Sequence, residues 1–453
     1  MENPPPLGLA HRLSWPMRFA YAGGQVGASI SIQFVSTFVL VYYLPATGER
    51  TNLIPGLIGG IGTYLLLTLL ARGIDSFFDA WVANRSDRSR TRFGRRRSFM
   101  LAGALPLSLS TAMIFFAPGP VAGVTNVAWL AFWLTFYFCA LSVWYVPYLA
   151  LLPELAPDRR ESSFLSTLQA TSALLGGVIA SVIAPAFFLS DSDADPWPLQ
   201  RMAAGVAILS FVFLLLPPLV IDDSRGSTHK TAATLSLIAA LRHTFRDRAF
   251  VLLVMGTNLF FFAFTVTQTG LPFVVQVLLE RPLREQGQIM GPLFLVSFVS
   301  FPIVLALSRK IGNRAVMLGA TLSMALLVGA GIPVLHPGAK LGAVLIFGAI
   351  GVPIAAFLAV PIAMLSDVCN ANARRTGLRG EAMFFGASSF IQKLMMGAAA
   401  GVVSWLMEAF GKTVSNPLGV QLSAGCASLA LLLAAACFWL YPEKSVHDEA
   451  TRR

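Results

Sequence analysis

Residues 222–248, DDSRGSTHKTAATLSLIAALRHTFRDR, form the longest polar interruption in an otherwise apolar chain. Of the 453 residues, 56% are hydrophobic and only 12% are charged, about half the charged fraction of a soluble domain. This composition excludes an ordinary soluble enzyme and a disordered chain, and it predicts a protein that crosses a membrane several times. Because six apolar segments precede the polar stretch and six follow it, we interpret the stretch as a linker between two halves.

The twelve apolar segments are long enough to span a bilayer as helices, and none has the alternating pattern of a barrel strand. The sequence therefore predicts an all-α membrane protein with twelve transmembrane helices in two six-helix bundles. The bundles correspond to residues 1–221 and 249–453, joined by the cytoplasmic linker 222–248. Two similar halves are typical of repeat-built transporters, which bind their substrate between the halves. The predicted spans are 19–44, 53–83, 99–117, 125–152, 163–189, 200–221, 249–279, 286–309, 314–335, 341–367, 384–410 and 417–441.

The net charge of +11 is distributed unevenly between the two ends of the predicted bundle. Of the 33 Lys and Arg residues, 25 lie at the end that holds both termini, six at the opposite end, and two, Arg72 and Lys393, inside spans. Basic loops stay on the cytoplasmic side, so we expect both termini in the cytoplasm. The expected location is the bacterial inner (plasma) membrane. The basic charge then needs no nucleic-acid partner.

Four ionisable residues lie inside predicted spans, where such residues are costly and usually functional. Arg72, Asp75 and Asp79 share one face of the second span, because their spacing follows the helical repeat. Lys393 lies in the eleventh span. The pattern indicates a site where Asp75 and Asp79 bind H⁺ or Na⁺ and Lys393 competes with that cation. The alternative is a permanent salt-bridge cluster that holds the helices in register. No cofactor and no other metal is expected.

Two cytoplasmic loops mix acidic and basic residues, the first over 84–98 and the second after residue 367. One interpretation is a cytoplasmic gate, in which arginines pair with acids across the entrance. The other is an orientation signal that contacts lipid headgroups, or in the second loop a solvated surface. The gate candidates are Asp87, Arg88, Arg95, Arg96, Asp367, Arg375 and Glu381.

Four groups of motifs follow one another over nearly the whole chain. They are Arg72-x-x-Asp75-x-x-x-Asp79 before Phe93-Gly94-Arg95-Arg96-Arg97, Val146-Pro147-Tyr148-x-x-Leu151-x-Pro153-Glu154-Leu155 before Asp158-Arg159-Arg160-Glu161, Met364-Leu-Ser-Asp367 before Arg375-Thr376-Gly377-x-Arg379-x-Glu381, and Lys393. In this order they resemble the glycoside–pentoside–hexuronide:cation symporters, the melibiose-permease-like family of the major facilitator superfamily. The resemblance implies the twelve-helix major facilitator fold, alternating access, cation binding by Asp75 and Asp79, and Lys393 and Arg72 beside them.

The chain departs from the sugar-transporting members of that family at three positions. Phe78 stands where an asparagine often helps to bind Na⁺, which favours H⁺ as the coupling ion. The two acids that grip sugar hydroxyls in melibiose-type sites are replaced by Ser29 and Tyr145. These departures argue against a melibiose-like sugar, and the same helix pattern also occurs in lysolipid-transporting relatives.

Several polar or aromatic residues within the spans are candidates for the substrate site, and each could instead connect neighbouring helices. For Trp144, stacking on a sugar ring competes with simple packing. The candidates are Ser29, Gln33, Trp144, Tyr145, Gln268, Ser388 and Gln392, together with Gln25 and Asn258.

The sequence thus predicts a secondary active transporter that carries a small organic solute, such as a glycoside or sugar, together with H⁺ or Na⁺. Uptake of lysolipids or other amphiphiles and H⁺-coupled export of a hydrophobic compound remain alternatives. An intramembrane enzyme is disfavoured because no catalytic His, Cys or metal cluster is visible within the spans. A receptor that has lost transport is a further alternative. The expected partners are the solute, the cation and the bilayer, and we expect a monomer.

Overall fold

The computed structural model describes residues 13–46, 50–89, 91, 94–156, 159–191, 195–221, 247–376, 381–443 and 445–446. The predicted linker therefore lies almost entirely outside the described residues. Twelve long helices occur in these ranges, which confirms the predicted all-α, twelve-helix fold. Ten of them are long and apolar enough to cross a membrane by length and composition. The other two are α2 (Thr63–Arg88), whose middle carries charges, and α3 (Arg97–Met113), which has 17 residues.

The first half contains six helices in a row. The fifth of them, α5 (Arg159–Val178), continues through a π turn, Ile179–Ile183, into a last α-helical turn, Ala184–Phe188. The six helices are α1 (Trp15–Tyr43), α2 (Thr63–Arg88), α3 (Arg97–Met113), α4 (Val124–Leu155), α5 (Arg159–Val178) and α6 (Trp197–Val220).

The second half repeats this arrangement with six more helices. α7 also ends in a π turn, Val274–Leu278. The six helices are α7 (Arg248–Phe273), α8 (Gln286–Ile311), α9 (Asn313–Val334), α10 (Lys340–Thr376), α11 (Glu381–Phe410) and α12 (Leu418–Leu440).

The predicted second span, 53–83, was wrong at its start. Its first ten residues are not helical. Residues 57–62 form a small antiparallel hairpin, β1 (Leu57–Ile58) and β2 (Ile61–Gly62), and the helix begins only at Thr63. Gly59 and Gly60 make the turn with φ of +58° and +81°, a region that suits glycine. The stretch is apolar enough to imitate a helix in composition, but its Pro and Gly residues do not favour one.

The most extensive helix contacts lie within the first six helices or within the last six, and α2 against α11 is the largest contact between the two sets. The domain boundaries 1–221 and 249–453 stay a prediction. We call the end of the bundle that holds residues 85–89, 94–97 and 309–314 the basic end. The far end is the opposite end, with residues 50–62 and 411–417.

Candidate functional site

The contact between α2 and α11 brings the charged residues of the two halves together. Thr68 on α2 donates a hydrogen bond to the carbonyl of Gly397 on α11, at 3.0 Å. One turn farther toward the far end, a Cβ on Gly401 would lie 2.5 Å from the Cα of Leu65, so glycine is required for this approach. One turn toward the basic end, the same register sets Lys393 opposite the charged face of α2.

Lys393 forms ion pairs with both aspartates of α2. Its Nζ lies 2.7 Å from Oδ2 of Asp75 and 2.5 Å from Oδ2 of Asp79. The Asp75 side chain is 1% exposed, whereas those of Asp79 and Lys393 are 28% and 21% exposed. The cluster therefore has one carboxylate enclosed by protein and a second that borders open space, with a single ammonium group between them.

Arg72 completes the cluster on the side of Asp75. Its Nη1 lies 3.8 Å from Oδ2 of Asp75, and its guanidinium carbon lies 3.8 Å from the centroid of the Phe138 ring. A cation over an aromatic face is stabilised by the ring quadrupole, which compensates for lost hydration. Arg72 is thus held by two partners, and the four charges balance.

Ser142 on α4 bridges the two carboxylates, and sequence reasoning missed it. Its Oγ lies 2.5 Å from Oδ1 of Asp75 and 2.5 Å from Oδ1 of Asp79. A hydroxyl has one proton, so it can donate to only one of these oxygens. The second carboxylate oxygen therefore lacks a hydrogen from Ser142, and a proton bound to either carboxyl group would supply one.

A cavity of about 310 Å³ lies between the halves beside this cluster. Its volume is at the lower limit of the range usual for small-molecule sites, about 300–1,000 Å³. Among the described residues, most of the wall comes from α1, α2 and α4, and in the second half only α11 contributes. The lining residues are Ile32, Ser36, Arg72, Asp79, Tyr137, Phe138, Leu141, Ser142, Tyr145, Val146, Leu149, Ser389, Gln392, Lys393 and Met396.

Only two of the predicted substrate candidates belong to this wall, Tyr145 and Gln392. Ser389 lines the cavity, whereas the predicted Ser388 is absent from the wall as described. Ser29 accepts a hydrogen bond from the Gln25 amide at 2.9 Å, outside the cavity lining.

The other five candidates, including Gln25 and Asn258, also lie outside the lining as described. Trp144 is fully buried, donates to the carbonyl of Leu214 at 3.1 Å and stacks on Tyr148, so it packs the first half. Gln33 donates to Thr37 within α1, at 3.4 Å. Gln268 is buried within α7, outside the described lining.

A signal for Ser142 was present in the sequence, three residues before Tyr145. On a helix this spacing places both side chains on one face. Ser36 and Tyr137 were missed because single polar residues in an apolar span carry no pattern that separates cavity wall from helix contact.

At the basic end, the predicted gate residues pair with neighbours in the same half. Asp87 lies 2.6 Å from Arg96, and Arg96 also contacts Glu154 at 3.1 Å. Arg95 contacts Glu154 at 2.5 Å, whereas Arg88 is exposed. These pairs tie the ends of α2 and α4 to the start of α3.

In the second half, Asp367 lies near Tyr441 at the basic end. Burial, followed by the charges of Asp367, Glu443 and Asp247, raises the pKa of the Tyr441 hydroxyl. The side chains of the remaining gate candidates, Arg375 and Glu381, lie outside the described residues. The cross-entrance pairing that the sequence suggested is therefore a prediction for those two.

At the far end, polar contacts join the two halves directly. The Lys412 ammonium contacts Asn52 at 2.9 Å and forms an ion pair with Glu408, while the Trp405 indole donates to the carbonyl of Gly60 at 3.2 Å. Burial lowers the pKa of Lys412, and Glu408 opposes that effect. We call Asn52, Glu408 and Lys412 the far-end triad.

Comparisons with known proteins agree with this fold and site. Residues 20–441 match the family model described as MFS/sugar transport protein. The isoprimeverose transporter of Lactiplantibacillus pentosus is 24% identical over 92% of this chain and 85% of its own. The glucuronide carrier protein homolog of Escherichia coli K12 is 22% identical over 96% of this chain and 94% of its own.

A solved structure extends the comparison from sequence to fold. The crystal structure of the D-xylose-proton symporter has a TM-score of 0.69 at 16% identity, covering 95% of this chain and 98% of that one. The family match spans far more than half of the chain and confirms the predicted resemblance. The chain belongs to the MFS/sugar transport protein family and is a multi-pass membrane transporter.

Proposed function

We propose that this chain is a symporter that moves a sugar- or glycoside-sized solute together with one cation by alternating access. The observation that carries the proposal is the bridge that Lys393 of one half makes to Asp75 and Asp79 of the other, in the wall of the cavity between the halves. A cation that takes a place on the carboxylates displaces the ammonium group. Cation occupancy therefore changes the contact between the halves.

We infer that the coupling ion is H⁺. The position of Ser142 between two carboxylate oxygens supports H⁺, because its hydroxyl can donate to only one of them. A proton that replaces Lys393 on the other carboxyl group then has an acceptor in the serine oxygen. Na⁺ would need several additional oxygen ligands. Phe78, the neighbour of Asp79 on α2, supplies none and stacks on Trp81 instead.

We place the basic end in the cytoplasm, because basic residues predominate there, and the protein in the bacterial inner membrane. The far-end triad and its neighbours connect the halves, whereas the described ion pairs at the basic end stay within single halves. This distribution of contacts supports the interpretation that the protein is in a conformation whose cavity is closed toward the outside. In that state the solute would exchange with the cytoplasm.

The test is uptake into proteoliposomes under an imposed pH or Na⁺ gradient, with a panel of sugars, glycosides and lysolipids. We expect the pH gradient to drive accumulation of at least one glycoside or sugar. Asp75→Asn and Asp79→Asn should each abolish accumulation, since each loses a group that can release a proton. Asp191→Asn is the matched control, because that carboxylate is 65% exposed and lies outside the site.

Three results would contradict parts of the proposal. Gradient-driven accumulation that persists in both Asn variants would show that Asp75 and Asp79 are not the coupling site. Accumulation driven by Na⁺ alone would exclude H⁺ as the coupling ion but keep the site. Failure of every sugar and glycoside would exclude the solute class.

A second candidate is transport of an amphiphile, and the apolar part of the cavity wall favours it. Ile32, Leu141, Val146 and Leu149 line the same cavity as the charged cluster. An amphipathic solute could place its polar group at the cluster and its apolar part along this surface. Accumulation of a lysolipid in preference to all sugars in the same panel would support this candidate.

A further inference from the structure

A second, smaller cavity of about 30 Å³ lies next to the first one. The two cavities share Ser36, Arg72, Phe138 and Met396 in their walls. The small cavity also reaches α7 of the second half, which the larger cavity does not touch. Its volume corresponds to about one water molecule or one hydroxyl group.

Thr265 is the α7 residue that distinguishes this small cavity. Its side chain is 6% exposed and lines the cavity, and its Oγ1 has no hydrogen-bond partner among the described residues. The two other threonines in the wall are satisfied, since Thr269 donates to the carbonyl of Ser36 and Thr68 to the carbonyl of Gly397. A buried hydroxyl without a partner is costly, and such a group in a transporter wall calls for a ligand.

The charge of the small cavity indicates what kind of group it accepts. Arg72 lines it as the cationic residue, but Asp75 already balances that charge. Val35, Val39 and Leu134 supply an apolar wall. A carboxylate would lack a second cation there, whereas a neutral hydroxyl can accept from Arg72 and form a hydrogen bond with Thr265.

We propose that the small cavity is a subsite for one hydroxyl group of the transported solute, and that Thr265 is the residue of the second half that selects for that hydroxyl. This inference rests on the proposed function, since it assumes a polyhydroxylated solute in the larger cavity. The solute extends past Arg72 and Met396 and contacts both halves at once. The Thr265 hydroxyl has no hydrogen bond to the coupling carboxylates among the described residues, so its loss should act on solute affinity alone.

The test compares two isosteric substitutions on the same helix. Thr265→Val removes the hydroxyl from the subsite. Thr257→Val is the matched control, because Thr257 is also buried with an unpartnered Oγ1 but lies outside both cavities as described. Uptake kinetics under a pH gradient are measured with D-glucose, D-xylose, their methyl β-glycosides and deoxy analogues of each solute that the wild type carries.

We expect Thr265→Val to raise KM about 3- to 10-fold for the hydroxylated solutes, the effect of losing one hydrogen bond. For the one deoxy analogue that lacks the engaged hydroxyl, the KM of the variant should equal that of the wild type, because neither protein can form this hydrogen bond with it. The ratio of protons to solute should stay that of the wild type. Thr257→Val should leave every KM unchanged.

Two outcomes would overturn the subsite. One is an unchanged KM for every solute that the wild type carries, and the other is an equal effect of Thr257→Val. If the wild type carried no member of the panel, the proposed function would fail and the subsite with it. That failure is seen in the wild type, whereas failure of the subsite alone is seen only in the variants.

Discussion

The two ends of the bundle use their charged residues in different ways. At the far end, Lys412 of the second half reaches Asn52 of the first, and its ion pair with Glu408 is largely enclosed, with both side chains 12% exposed. At the basic end, the described pairs, such as Arg96 with Glu154, brace helices within one half. Some charges at the far end therefore take part in the contact between the halves, whereas the described pairs at the basic end stabilise each half as a unit.

This difference separates contacts that must break in each transport cycle from contacts that can persist throughout it. The far-end triad and the Lys393 bridge belong to the first kind, because each joins the halves. The pairs of Arg95 and Arg96 belong to the second kind. Substitutions at the two kinds of contact should therefore have different effects, on transport in one case and on stability in the other.

The largest effect is expected for Lys393→Gln. Removing one partner of a buried ion pair typically costs about 3–5 kcal/mol, and here two carboxylates lose their shared partner. Gradient-driven accumulation should fall at least about tenfold, because release of the proton no longer restores the bridge between the halves. Proteoliposome uptake measures this fall. Lys340→Gln is the control, since Lys340 pairs with Glu285 within the second half and is 35% exposed. Equal accumulation by the two variants would contradict a role for the bridge.

An intermediate effect is expected for Glu408→Gln at the far end. The change leaves the Lys412 ammonium poorly compensated in a confined site and weakens the closed contact by about 1–3 kcal/mol. The population should shift toward the outward-open state. Labelling of a cysteine introduced at Ser389, in the cavity wall, by an impermeant maleimide from outside should become faster.

Asp191→Asn serves as the matched control for this change. It removes the pair of Asp191 with Arg284, which also joins the halves at the far end but has both side chains about half exposed or more. Exposed pairs contribute little, so labelling should stay at the wild-type rate. Faster labelling in the control but not in Glu408→Gln would reverse the assigned importance of the two pairs.

The smallest effect on transport is expected for Glu154→Gln at the basic end. Glu154 is 13% exposed and accepts from both Arg95 and Arg96, so its loss should lower the stability of the first half by about 1–2 kcal/mol. Thermal unfolding in detergent should show a lower Tm. Labelling at position 389 should stay unchanged, and a change there would mean that this cluster also controls access to the cavity.

The sequence was sufficient to predict the twelve helices, since long apolar segments in lipid have few alternatives. The charged cluster was also predictable, because Arg72, Asp75 and Asp79 follow the helical repeat and Lys393 is the remaining basic residue inside a span. The start of α2 was not, because the hairpin at 57–62 is as apolar as a helix and differs only in its turn residues. Ser142 could have been found from its helical spacing to Tyr145, whereas the packing role of Trp144 could not be settled, since its partner Leu214 comes from a distant helix.

The position of Lys393 has a thermodynamic consequence. In the described cluster, the first half supplies both carboxylates and the second half supplies the ammonium that bridges them. The free energy of docking the halves and the affinity for the coupling ion are then linked, and linkage acts equally in both directions. Any ligand, lipid or substitution that loosens α2 from α11 must change ion affinity by the same free energy. A mutation far from the carboxylates could thus be detected as a shifted ion titration.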